Sequence, residues 1–186
     1  MTTILVAMTI LTGAAAPAMY DYIDEAKLVR GRHDVATLGV SLVRLFSDVG
    51  AERTRHGGWA TFEVLVGAGS PPASLTEETG AWVVTSDKED VGWLDDHLIS
   101  NRAAYTPYGE RDRRGWRGAY IQQPVGPDPW GGRYALNVGA IMHRSADLFV
   151  LSAGPDGVVT VPFDADGLTL PGDDLVSLIA SGRIGQ

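Results

Sequence analysis

Apolar positions along the chain fall into two textures. From Ile4 to Met19 the run ILVAMTILTGAAAPAM carries no charge, and the sequence after Pro17 becomes amphipathic without a break. Val35, Leu38, Leu42 and Leu45 recur at spacings of three and four, the period of one helical face. The polar residues Asp24, Glu25, Lys27, Arg30, Arg32 and Asp34 crowd the stretch just before them. The pattern predicts one long helix over 3–47, stopped near Ser47–Gly50, where SDVG supplies cap and turn chemistry. Its first third is apolar enough for lipid and its last third is patterned to pack on a domain. Pro17 lies inside, removes one backbone hydrogen bond and favours a kink.

Beyond residue 50 the period shortens. WATFEVLVGAG (59–69) and AWVVTS (81–86) read as short strands separated by a loop, SPPASLTEETG. DVGWLDDHLIS (90–100) reads as a short helix with Val91, Leu94 and Leu98 on one face. RYALNVGAIM (133–142) and DLFVLSA (147–153) predict two strands of a hairpin or meander, and LVSLIAS (175–181) a short terminal element. The expected class is α+β: a long N-terminal helix packed on a small, mostly antiparallel sheet. The division predicted is a helix over 1–47, with a membrane or assembly segment at 3–19, and a head over 48–186. Within the head, 51–114 reads as a variable region and 152–175 as a loop.

At 186 residues the chain suits one domain with a sizeable core. The net charge of −8 argues against binding nucleic acid, whose phosphates an acidic protein repels. No cysteine is present, which excludes disulfides, cysteine–zinc sites and thiol catalysis. The uncharged N-terminal run directs the protein to a membrane or beyond one. Sixteen helical residues reach about 24 Å, somewhat short of a hydrocarbon core of about 30 Å. A secretory signal is the alternative, with Ala14, Ala16 and Ala18 offering small residues for cleavage, although no Lys or Arg precedes the run.

Few motifs suggest chemistry. In GPDPWGGRY (126–134) the prolines flank Asp128 and two glycines follow Trp130, which reads as a rigid turn with Trp130 as an apolar anchor. The histidines at 33, 56, 97 and 143 have no metal-site spacing, and no G-x-S-x-G elbow is present. GAGS (67–70) lacks the rest of a phosphate-cradling loop, and ERDRRGWR (110–117) reads as a solvated or partner-facing loop. No nucleophile–base pair stands out, so the chain is expected not to be an enzyme.

The late stretch SAGPDGVVTVPFDADGLTLPGDDL (152–175) holds Asp156, Asp164, Asp166, Asp173 and Asp174 among four glycines and three prolines. Hard cations such as Ca²⁺ take six to eight oxygens from carboxylates, carbonyls and water. Asp156 lies in a tight Gly-Pro-Asp-Gly turn, and repulsion between adjacent Asp173 and Asp174 is relieved by a shared cation. DADG (164–167) resembles only part of an EF-hand, without the glutamate that closes one. Composition leaves a calcium site and a plain acidic loop equally open.

Three stretches together resemble the type IV pilin-like superfamily, in particular the major pseudopilin of bacterial type II secretion. YIDEAKLVRGRHDVATLGVSLVRLF after Pro17 is similar to the family's helix after its kink proline. GWRGAYIQQPVGPDPWGGRY (115–134) is similar to its G-W-x-G-P-Y…DPWG-x-x-Y signature, and DLFVLSAGPDG…GDDL to its closing strand and calcium loop. Residues 3–50 and 115–175 carry the likeness, and 51–114 does not match closely. The family's basic leader, cleavage glycine and early-helix glutamate match no residue here, and an ungapped alignment on Pro17 would start the family helix before Met1.

The resemblance implies an inner-membrane protein with its head in the periplasm. Its helix would assemble into a helical filament that works with other pseudopilins and an ATPase-driven inner-membrane platform to expel folded proteins. It implies a Ca²⁺-stabilised C-terminal loop, with Asp156 in the turn, the Ala153 backbone carbonyl three residues before it, and the acidic pair Asp173 and Asp174. Asp164 and Asp166 lie in a longer intervening segment, as ligands that replace or supplement these. The alternatives are a related pilin-like subunit serving adhesion or uptake, and a secreted soluble calcium-binding domain whose apolar N-terminus is a cleaved signal.

Overall fold

A computed structural model describes residues 2–50, 62–75, 82, 91–110, 113–139, 146–167 and 172–181. The expected strand over 81–86 lies outside these residues except for Trp82, as does much of the region 51–114. Helix α1 spans Thr2–Val49 and runs through Pro17 without interruption. Among the described residues no helix is long and apolar enough to cross a membrane.

The predicted helical face is the one that packs. Val35, Leu38, Leu42, Leu45 and Val49 are all buried, and Leu42 and Leu45 have no exposed surface. Burying a leucine contributes about 2 kcal/mol, so this row anchors the helix firmly. From Met19 to Ala26, in contrast, every residue is exposed, so the helix passes beyond the head that its C-terminal half holds. At Gly39 the helix backbone comes so close to the last strand that a Cβ would collide with the Ser177 side chain.

The strands are β1 (Val64–Val66), β2 (Ser74–Leu75), β3 (Val91–Trp93), β4 (Ala135–Leu136), β5 (Leu148–Ser152), β6 (Val158–Val159) and β7 (Leu175–Ala180), with a short helix α2 (Leu94–Leu98) directly after β3. Five strands form one sheet in the order β3-β1-β4-β5-β7, and β2 pairs with β6 separately. The fold is therefore α+β, a long helix on a five-stranded sheet. The β4–β5 pairing bears out the meander read from 133–153. The sheet is mixed and not simply antiparallel, because β3 lies parallel to β1. It also occupies the first residues of the segment 90–100, which was read as wholly helical. Only Leu94–Leu98 are helical there, with Leu94 and Leu98 buried.

The interior strand β5, LFVLS, is buried at every position because both faces of the sheet are covered. Leu148 and Val150 point to α1, joined by Leu65 of β1 and Leu136 of β4. Phe149 and Leu151 point the other way, onto Trp82, Val159, Val161 and Phe163. Asn137, fully buried, closes this second layer. Its amide donates to the carbonyls of Asp147 and Phe163, and its side-chain oxygen accepts from the Phe149 amide.

Candidate functional site at the end of the sheet

The register of β5 against β7 brings two of the expected ligand positions, Ala153 and Asp174, to one end of the sheet. Ser152 pairs with Leu175, so the next residue on one strand, Ala153, and the preceding one on the other, Asp174, meet at the same end of the sheet. The 154–157 turn then folds back against residue 173. Gly154 has φ of +67°, and a Cβ there would lie 2.5 Å from the Asp173 carbonyl oxygen, so this approach requires glycine. The Asp156 amide donates to Asp173 Oδ2 at 3.4 Å, and Asp156 Oδ1 accepts from the Val158 amide at 2.7 Å, closing an Asx turn.

Asp174 is buried, and its two oxygens are treated unequally. Oδ2 accepts from the Thr160 amide at 2.7 Å, the Thr160 hydroxyl at 2.6 Å and the Val161 amide at 3.0 Å. Oδ1 is buried with no hydrogen-bond partner. Burial raises the pKa of this carboxyl, and the hydrogen bonds from Thr160 and Val161 oppose the rise. A desolvated carboxylate oxygen without a donor is costly unless a cation or proton meets it.

Asp164 and Asp166 are not brought to this cluster. They are exposed and lie in a turn tied to Asp147, whose Oδ2 accepts from the Gly167 amide at 3.0 Å and whose amide donates to the Ala165 carbonyl at 2.9 Å. Among the described residues, no group of three or more acidic or histidine side chains is placed to hold a metal ion. The donor set at the sheet end is thus smaller than a complete cage: the orphaned Asp174 Oδ1 and the neighbouring Asp173 carboxylate that takes the Asp156 amide. It fits a hard, oxygen-seeking cation better than a soft one.

Next to this end lies the DPWGG turn. Asp128 Oδ1 accepts from the amides of Trp130 at 2.9 Å and Gly132 at 2.7 Å, and Oδ2 accepts from the Ser152 hydroxyl at 2.6 Å. The Gly154 amide in turn donates to that hydroxyl at 3.2 Å, so a continuous hydrogen-bond path joins the DPWGG turn to the GPDG turn. Trp130 packs against α1 beside Gly31, as an anchor of the kind the turn was read to need. The path through Ser152 and the Thr160 cap on Asp174 were not legible in the sequence. Neither residue stands in a motif, and both meet their partners only through the fold.

No family model, no curated protein and no solved structure matches the chain.

Proposed function

We propose that the chain is a non-enzymatic subunit of a pilin-like filament, of the pseudopilin kind used in type II secretion. In this reading the apolar start of α1 sits in the inner membrane and the head stands in the periplasm. The observation that carries the reading is the overhang of α1: the helix continues past the head with its described residues exposed from Met19 to Ala26. These exposed residues, 19–26, are not covered within the protomer and are suited to burial between protomers or in lipid.

We further propose that Ca²⁺ stabilises the head, held by Asp156, Asp173, Asp174 through its orphaned Oδ1, and the Ala153 carbonyl. When bound, the ion supplies the positive charge that two adjacent carboxylates and a desolvated oxygen lack. The chain's own part is to bring residues 153–156 and 173–174 to one place through the β5–β7 register, and to hold Asp174 by the Thr160 and Val161 donors. Asp164 and Asp166 take no part.

Mass spectrometry of the native N-terminus combined with electron microscopy of membrane fractions tests the assembly claim. A retained apolar segment and filaments shed from the membrane are expected. A soluble monomer whose chain begins at Met19 would favour the secreted-domain alternative and overturn the filament reading.

A further inference from the structure

A groove of about 860 Å³ runs between helix α1 and the segment 120–127 of the head, and Tyr134 also lines it. The helix offers the groove one row of side chains: Arg30, His33, Thr37, Val40 and Arg44, spaced three and four apart and all exposed. The row begins and ends in arginine, and the rise of the helix sets those two positions about 21 Å apart. Val40, Ile121 and Pro124 give the lining an apolar part. On a chain of net charge −8, the charged groups here are Arg30, Arg44 and Asp34, with His33 beside them. Asp34 is already engaged. Its Oδ2 accepts from the Tyr134 hydroxyl at 3.1 Å and meets Arg30 Nε at 3.4 Å, and Oδ1 lies 3.7 Å from His33 Nδ1. Among the described residues, Arg44 and the side chains of Gln122 and Gln123 form no hydrogen bond or ion pair. The groove therefore holds a local excess of positive charge and polar groups left open to a ligand.

We infer that this groove binds an extended acidic segment of another protein, carrying two carboxylates about six residues apart. At about 3.3 Å per residue, that spacing spans the distance between the two arginines. One carboxylate meets Arg44 and the other meets Arg30, whose side chain is 65% exposed, in charge-assisted hydrogen bonds. The amides of Gln122 and Gln123 donate to and accept from the backbone between them. Pro124 and Pro127 on the head wall have no N–H to offer, so side chains and not strand pairing carry the recognition. Charge selects this occupant. A continuous polyanion such as a nucleic acid is repelled by the acidic remainder of the chain, whereas two separated arginines match two isolated carboxylates. The site lies within one protomer, so it goes beyond the filament reading and stands or falls separately from it.

The test is fluorescence anisotropy with the full-length protein and a labelled seven-residue peptide, aspartate at both ends and alanine, valine and proline between. Saturable binding is expected, and it should vanish when asparagine replaces both aspartates. Arg44→Gln should weaken binding about fivefold, through loss of one charge-assisted hydrogen bond. Val40→Asp should weaken it at least as much, by setting a like charge inside the groove. Both residues are exposed, so unchanged unfolding midpoints should show that binding and not folding was lost. Arg102→Gln removes an arginine that is 78% exposed and outside the groove, and should leave the affinity unchanged. The inference is overturned by absent binding, by equal binding of the asparagine peptide, or by an affinity indifferent to Arg44→Gln. An equal loss with Arg102→Gln, or tighter binding of a single-stranded oligonucleotide than of the peptide, would overturn it as well.

Discussion

Two buried aspartates at the same end of the sheet show how differently a fold can treat one side chain. Asp128 and Asp174 are 4% and 5% exposed. Asp128 has both oxygens occupied by donors from its own turn and from Ser152. Asp174 has three donors on one oxygen and none on the other. The first is complete as a hydrogen-bonded anion and asks for no ligand. The second is half complete, and it stands beside another acidic residue. A buried aspartate is therefore not in itself a metal signal; the unsatisfied oxygen is what separates a structural carboxylate from a candidate ligand.

That comparison orders the expected effects of substitution. The largest belongs to Asp128. Asp128→Ala strands the Trp130 and Gly132 amides and the Ser152 hydroxyl, and should cost about 4 kcal/mol in chemical denaturation, equally with calcium or with chelator. A loss that appears only with calcium present would mean that Asp128 is a ligand after all.

Next comes acid, through a different buried group. His97 is enclosed against Phe62 and bonded through Nδ1 to the Tyr105 hydroxyl at 2.7 Å. Burial lowers its pKa from 6.5 to about 4. The neutral ring is the form the fold prefers, so its contribution is fully present above pH 6.5 and is lost as pH falls towards 4. The loss should reach up to about 3 kcal/mol and should be flattened by His97→Gln, as read from unfolding midpoints across that window. Asp174 runs the other way: with its folded pKa raised, its own contribution to the metal-free fold improves as pH falls. Calcium affinity should accordingly weaken in acid, where a proton takes the place of the ion at that oxygen.

Smaller effects separate the two acidic turns. In chelator, Asp174→Asn should change stability by less than about 1 kcal/mol, because an amide oxygen can keep the Thr160 and Val161 donors while the buried charge is removed. The same substitution should abolish any stabilisation by calcium. Asp164→Asn and Asp166→Asn, on the exposed turn tied to Asp147, should each shift stability by less than about 0.5 kcal/mol and leave the calcium response intact. A calcium response lost with Asp166→Asn would bring the second turn back into the site.

The long helix was legible because its apolar spacing is strict: Val35, Leu38, Leu42 and Leu45 are the residues that pack. The meander of β4 and β5 was legible as two short apolar runs, within 133–142 and 147–153, although β5 is buried at every position and shows no alternation. What escaped is what depends on long-range pairing. Nothing local distinguishes a parallel partner from an antiparallel one, so the placement of β3 beside β1 was not foreseen. The loop was legible as acidic and glycine-punctuated, but its internal division was not. The sequence of 164–167 looks closest to a calcium loop, yet Asp147 holds it elsewhere. The less conspicuous Asp174 acquires its unsatisfied oxygen only because Thr160, fourteen residues earlier, caps the other one.

The most direct test of the central claim is the thermal unfolding of the full-length protein in calcium and in chelator, side by side with Asp173→Ala. The account predicts a higher melting temperature in calcium for the unsubstituted chain and no difference between the two conditions for Asp173→Ala. A melting curve that calcium and chelator leave unchanged in the unsubstituted protein would contradict the account, leaving Asp174 Oδ1 an uncompensated cost of the fold and the loop an acidic surface alone.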